Sequence, residues 1–260
     1  MTTVLKYINP LLMAIYRSNL TAPDLSPYFT LCPQVRQIMG HDAPSDPDFD
    51  PDCTYLTHDE AAILYSIAKA WPGSWVDIGA RLGWTGAHIA AAGCPLSLID
   101  PEYKNPEFYM RMARYVTNFG ENPEFYMRMA KYVTIFPVPI YAHSDNSESF
   151  FIHCTGRIDA AMIDGDHDAP QPTLDAIRAV AAGAKVLVWH DFWGEPIQQA
   201  VSVHPKDQWG TRVYNTPNGM AVCWLAGCGF VPPDHTPDPA IDWAQVRRDR
   251  APNFDFGRCS

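Results

Sequence analysis

The sequence predicts an α/β fold: a mostly parallel seven-stranded sheet with helices on both faces and a C-terminal antiparallel hairpin. Three observations predict it. From Trp75 onward, short apolar runs alternate with helical patterns, which implies strands joined by crossover helices. The first run leads directly into a glycine turn, Val76-Asp77-Ile78-Gly79-Ala80-Arg81-Leu82-Gly83-Trp84-Thr85-Gly86. Two later runs, 158–163 and 186–189, break off into clusters of acids and histidines.

The elements follow in order. Residues 1–56 read as a helical and irregular extension capping the core. Thr57 is a candidate N-cap, with Glu60 completing a capping box, and Pro72-Gly73 stops the helix that follows. Strands are expected at 75–79, 96–100, 138–142, 159–163 and 185–190, with helices at 85–92, 172–182 and 195–203. A final pair of strands falls near 211–216 and 219–225, and Asn218-Gly219 between them is a hairpin signal. The core therefore spans 57–226. The Pro-rich segment 227–260 is an extension, with a short helix over Asp242 to Arg250.

A direct repeat separates the second and third strands. Asn105–Thr117 recurs almost unchanged as Asn122–Thr134. Each copy opens with Asn as N-cap and Pro at the first helical position, so 105–136 reads as a duplicated helical insert. Two units are too few for a solenoid. A lengthened connection, a lid and a dimer-forming hairpin all stay open, and with them a homo-oligomer.

Composition narrows the function classes. The chain of 260 residues is 47% hydrophobic with eight tryptophans, enough for a large core. A formal charge of −10 argues against nucleic-acid and anionic-membrane partners, which call for clustered Lys and Arg. Met1 to Asn19 lacks the pattern of a signal peptide, and no window approaches the roughly 18 apolar residues of a membrane span. The seven cysteines include no C-x-x-C pair, which suits reduced thiols in a cytoplasmic protein.

The motifs point to a nucleoside pocket. Leu98-Ile99-Asp100 is a second strand that ends on an acid shortly after the glycine turn. Glycines let such a turn approach a ligand, and the acid accepts from both ribose hydroxyls. Arg81 stands where a dinucleotide site needs its second glycine, so the turn suits a ligand without pyrophosphate, of which S-adenosylmethionine (SAM) is the candidate. Asp164, Asp166, His167, His190 and Asp191 end two further strands and face the same crevice. Asp166 reads either as a turn cap or as a ligand, and Trp193 as core or as a wall of the acceptor pocket.

Taken in this order, V-D-I-G-x-x-x-G-x-T, L-I-D, I-D-G-D-H and W-H-D resemble the class I SAM-dependent methyltransferases. More narrowly, residues 57–226 are similar to the macrocin O-methyltransferase and cephalosporin-hydroxylase-like branch. The resemblance implies a Rossmann-like fold and O-methylation of a small hydroxylated acceptor. It implies that Gly79, Ala80, Arg81 and Gly83 hold the methionine moiety of SAM, with Asp77 near its ammonium and Asp100 on its ribose. Ser144 and Asp145 would contact the adenine. In metal-dependent members Asp164 and Asp191 would bind Mg²⁺, and His167 would be the base. His190 departs from that pattern, because it stands where those members carry an acid and Mg²⁺ prefers oxygen. Methylation of a small amine and a non-catalytic SAM-fold protein are the alternative readings.

Overall fold

The computed structural model describes residues 19–26, 56–81, 83–104, 136 and 138–259. Its strands are β1 (Trp75–Ile78), β2 (Leu96–Ile99), β3 (Ile140–His143), β4 (Ala160–Ile163), β5 (Val186–Trp189), β6 (Trp209–Tyr214) and β7 (Met220–Leu225). They form one sheet in the order β3-β2-β1-β4-β5-β7-β6. The first five are parallel, and β7 runs antiparallel between β5 and β6.

Around the sheet lie α1 (His58–Ala70), α2 (Trp84–Ala91), α3 (Ser147–His153), α4 (Gln171–Ala181), α5 (Glu195–Ser202) and α6 (Trp243–Arg250). Every residue of β1, β4 and β5 is buried, as expected for parallel strands covered on both faces. Successive side chains serve opposite cores. Trp75, Leu98, Met162 and Val188 pack with Ile63, Leu64 and Ile67 of α1. Val76, Ile163, Leu187 and Trp189 pack with Ala176, Ala179, Ile197 and Val201 of α4 and α5.

The local signals explain most boundaries. Thr57 and Glu60 form the expected capping box: Glu60 N–H donates to Thr57 Oγ1 at 3.3 Å, and Thr57 N–H to Glu60 Oε2 at 2.8 Å. Asp242 caps α6 by accepting from the Gln245 N–H at 3.0 Å. β3 starts two residues later than expected, after Pro139, which cannot donate to the ladder. α3 was not expected, since Ser144-Asp145-Asn146 reads as turn chemistry. Asn146 is in fact an N-cap, its side chain accepting from the Ser149 N–H at 2.8 Å. The hairpin between β6 and β7 has a five-residue loop, 215–219, rather than a two-residue turn. The repeats expected to be helical at 105–117 and 122–134, and most of 1–56, lie outside the described residues. Among the described residues no helix is long and apolar enough to cross a membrane.

Register places the chemistry. Ile78 pairs with Ile99 and Ile163, and Ile163 pairs with Trp189. The residues that follow these four, Gly79, Asp100, Asp164 and His190, therefore form a line along the carboxyl edge of the sheet.

One close contact on the sheet edge is testable. Gly210 of β6 pairs with Trp224 of β7, and a Cβ at Gly210 would lie 2.3 Å from the Trp224 ring. Gly210→Ala is expected to cost about 1–3 kcal/mol through overpacking, read as a lowered midpoint in thermal denaturation.

Candidate active site

The strand order reverses between β1 and β4, and a crevice opens there outside the carboxyl ends of the strands. It is a cleft of about 590 Å³, within the range that encloses small-molecule ligands. Gly79, Ala80, Arg81 and Asp100 line one part of it, and Asp164, His167 and Asp191 line another.

The glycine turn is tied to β2 from below. Gly79 and Ala80 N–H both donate to Ile99 O, at 2.9 and 3.2 Å, and Arg81 N–H donates to Asp100 Oδ2 at 2.7 Å. Gly79 has φ +84°, and a Cβ there would lie 2.2 Å from the Asp164 carbonyl oxygen. Only glycine lets the turn lie this close to the end of β4. Arg81 (φ 43°) and Asp191 (φ 52°) are the non-glycine residues with positive φ among the described residues. Both line the cleft, where such strain tends to collect.

Asp77, Gly83, Ser144 and Asp145, expected at the cofactor, are not among the residues that line this cleft. Asp77 lies wholly buried on the α2 side of β1, the same side as Trp75. Burial, then the Asp164 and Asp100 carboxylates, push its carboxyl well above the ordinary range, and the Gly86 backbone only partly opposes this. Gly83 is the left-handed N-cap of α2 rather than part of the wall. Ser144 and Asp145 end up outside the wall because the chain turns into α3; Asn146, Ser147 and Glu148 take their place. Asp166 caps a turn, accepting from the Asp168 N–H at 2.9 Å. Trp193 is core: its Nε1–H donates to Thr216 O at 3.0 Å.

The acids and histidines do come together. His167 lies between two carboxylates, with Nε2 3.3 Å from Asp164 Oδ1 and Nδ1 3.4 Å from Asp191 Oδ2. His190, fully buried, has Nδ1 3.2 Å from Asp164 Oδ1 and 3.3 Å from Asp191 Oδ2. Its Nε2 faces Glu60 Oε2 at 3.2 Å. Burial lowers the His190 pKa, but Asp164, Asp191 and Glu60 outweigh burial and hold it well above its ordinary value of 6.5. Burial likewise raises Glu60 and Asp164, yet the facing histidines and hydrogen bonds bring both below the ordinary carboxylate range.

Glu60 is the residue that sequence reasoning missed in this role. Besides capping α1, its Oε1 accepts from Thr216 Oγ1 at 2.7 Å and Asn218 N–H at 3.1 Å, and its Oε2 from Asn218 Nδ2 at 3.3 Å. Nothing in a capping-box motif signals a partner 130 positions away.

The residues present fit SAM. Gly79, Ala80 and Arg81 line the cleft, and the Asp100 carboxylate stands beside them. They fit Mg²⁺ poorly. Asp164, His190 and Asp191 offer ligand atoms within 4.8 Å of one another, but one of the three is an imidazole, not an oxygen.

No protein-family model and no curated protein matches the sequence. Solved structures match in fold. Cofactor-bound Rv0187 from MTB is 11% identical, over 79% of this chain and 90% of that one, with a TM-score of 0.50. The O-methyltransferase TomG from Streptomyces achromogenes, involved in tomaymycin synthesis and solved with SAM, is 12% identical over 80% and 92%, with a TM-score of 0.49. A methyltransferase from Geobacter sulfurreducens is 16% identical over 78% and 92%, with a TM-score of 0.48. At these identities the likeness is one of fold. The shared fold is Rossmann-like, a mostly parallel seven-stranded sheet with its strands in the order given above.

Removing one partner of a wholly buried ion pair strands the other charge. Glu60→Ala is expected to destabilise the protein by about 3–5 kcal/mol, measured by urea denaturation at neutral pH.

Proposed function

We propose that this chain is a SAM-dependent methyltransferase that methylates an oxygen of a small hydroxylated molecule. The observation that carries the reading is the meeting, in one cleft, of the glycine turn, Asp100 and the Asp164–His167–Asp191 group. SAM, when bound, supplies a sulfonium methyl already activated for transfer. The chain then has two tasks: to hold acceptor and cofactor in line, and to remove the proton of the acceptor.

Gly79, Ala80 and Arg81 would hold the methionine end of the cofactor, and Asp100 would accept from the ribose hydroxyls. Asp100 Oδ2 already receives the Arg81 amide, so turn and ribose acceptor are positioned as a unit. Correct alignment alone supplies several kcal/mol of barrier lowering.

His167 is the base in this reading. Its ring is partly exposed, at 41%, whereas His190 is wholly enclosed, so His167 is the imidazole an acceptor hydroxyl can meet. The hydrogen bond to Asp164, and the charges of Asp164 and Asp191, raise its pKa against the lowering effect of burial. A raised pKa strengthens the base and delays its deprotonation to higher pH.

Two measurements test the reading. Asp100→Asn keeps an acceptor for the Arg81 amide but removes a charged oxygen. It should weaken S-adenosylhomocysteine (SAH) binding by about tenfold or more, given 1.5–3 kcal/mol for a hydrogen bond to a charged group. Failure of the folded wild-type protein to bind SAH in calorimetry would sink the proposal. With an acceptor in hand, kcat/KM should rise with pH through an apparent pKa above 6.5, the ordinary value. His167→Gln should flatten that rise and lower the rate by about 10²–10⁴.

A further inference from the structure

Asp164 Oδ1, His190 Nδ1 and Asp191 Oδ2 converge on one point beside the cleft. The nitrogen stands 3.2 Å from the first oxygen and 3.3 Å from the second. With metal–ligand bonds of about 2.0–2.2 Å, ligands at tetrahedral to octahedral angles stand roughly 3.0–3.5 Å apart. The same spacing is that of the ion pairs these groups make with one another, and it also lies within the range of donors sharing one cation.

The other face of the His190 ring is held from a different part of the chain. Nε2 meets Glu60 Oε2 at 3.2 Å, and Glu60 is itself fixed by Thr57, Thr216 and Asn218. An outer carboxylate in this position fixes the tautomer of a ligating histidine, orients its ring and raises its basicity as a ligand. Here Glu60 holds the Nε2 edge of the ring, and Nδ1, ion-paired with Asp164 and Asp191 in this structure, would take a cation by giving up its proton.

We infer that Glu60 and His190 set the metal choice of this cleft: Asp164, His190 and Asp191 form a mixed nitrogen–oxygen site for a borderline divalent cation such as Co²⁺ or Zn²⁺, in preference to Mg²⁺. Mg²⁺ is bound by oxygen and gives up its waters reluctantly. Imidazole suits the later first-row ions. An acid at position 190 would restore an all-oxygen set; the histidine, backed by buried Glu60, changes the class of ion. His167 stays on the exposed side of the group, toward the acceptor. The inference extends the methyl-transfer reading of the same cleft, and its test separates the two.

Chelator-stripped protein is titrated calorimetrically with Co²⁺ and with Mg²⁺, and SAH binding is measured in parallel. Co²⁺ is expected to bind at least about 100-fold more tightly than Mg²⁺, and Glu60→Gln to weaken Co²⁺ by about 10–100-fold. His190→Glu should cut the Co²⁺/Mg²⁺ preference by at least about tenfold, which separates this site from the general preference of mixed donors for later ions. Positions 60 and 190 are buried, so two readouts do not depend on those variants folding. Asp191→Asn, at a partly exposed position, should lose most Co²⁺ affinity. The Co²⁺-loaded wild-type protein should also show a hyperfine-shifted, slowly exchanging imidazole N–H proton, the one held by Glu60. No Co²⁺ binding to wild type, equal affinity for Mg²⁺, Co²⁺ binding unchanged in Asp191→Asn, or no such imidazole resonance would each overturn the inference. Loss of SAH binding with Co²⁺ binding intact would overturn only the methyl-transfer reading.

Discussion

The arrangement depends on one buried imidazole ringed by carboxylates. His190 follows β5, Asp164 follows β4, Asp191 comes next in a left-handed backbone conformation, and Glu60 arrives from α1. Ionic groups out of water are costly unless each is paired and hydrogen-bonded. Here Glu60 is satisfied by α1 itself and by the β6–β7 loop, so three separate parts of the chain must be in place before the charges balance. The pair therefore links the helix that opens the core to the hairpin that closes it, through the strand end that carries the chemistry.

That linkage divides the cleft into a part that is fixed and a part that can meet substrate. The glycine turn is pinned by Ile99 and Asp100 and by its close approach to the end of β4. The His190–Glu60 pair is enclosed, whereas Asp164, His167 and Asp191 are open to the cleft. Enclosed groups hold geometry, and open ones exchange contacts with ligands. The same partition separates the two histidines, which look alike in sequence, into a positioning residue and a candidate base.

Strand periodicity and helix capping account for where Asp77, Ser144 and Asp145 lie. Asp77 is one residue before Ile78 in β1, so its side chain points to the α2 face, while the cleft lies beyond the strand end. Ser144 and Asp145 follow β3 at the right height, but Asn146 caps α3 and draws Ser147 and Glu148 to the wall. In each case a local structural rule, side-chain alternation or helix capping, sets where the residue lies relative to the cleft lining.

The sequence by itself determined the alternation of strands and helices, the glycine turn, the capping box at Thr57 and the acids at the strand ends. All of these are written in local patterns: an apolar period, a left-handed position, a cap three residues from its partner. Only the tertiary structure decided which acids face which histidines. The row of Gly79, Asp100, Asp164 and His190 follows from strand register, and the Glu60–His190 pair joins residues 130 positions apart. Such pairing comes from the packing of α1 against the sheet, where hydrophobic burial sets the distance and the buried charges must then find one another.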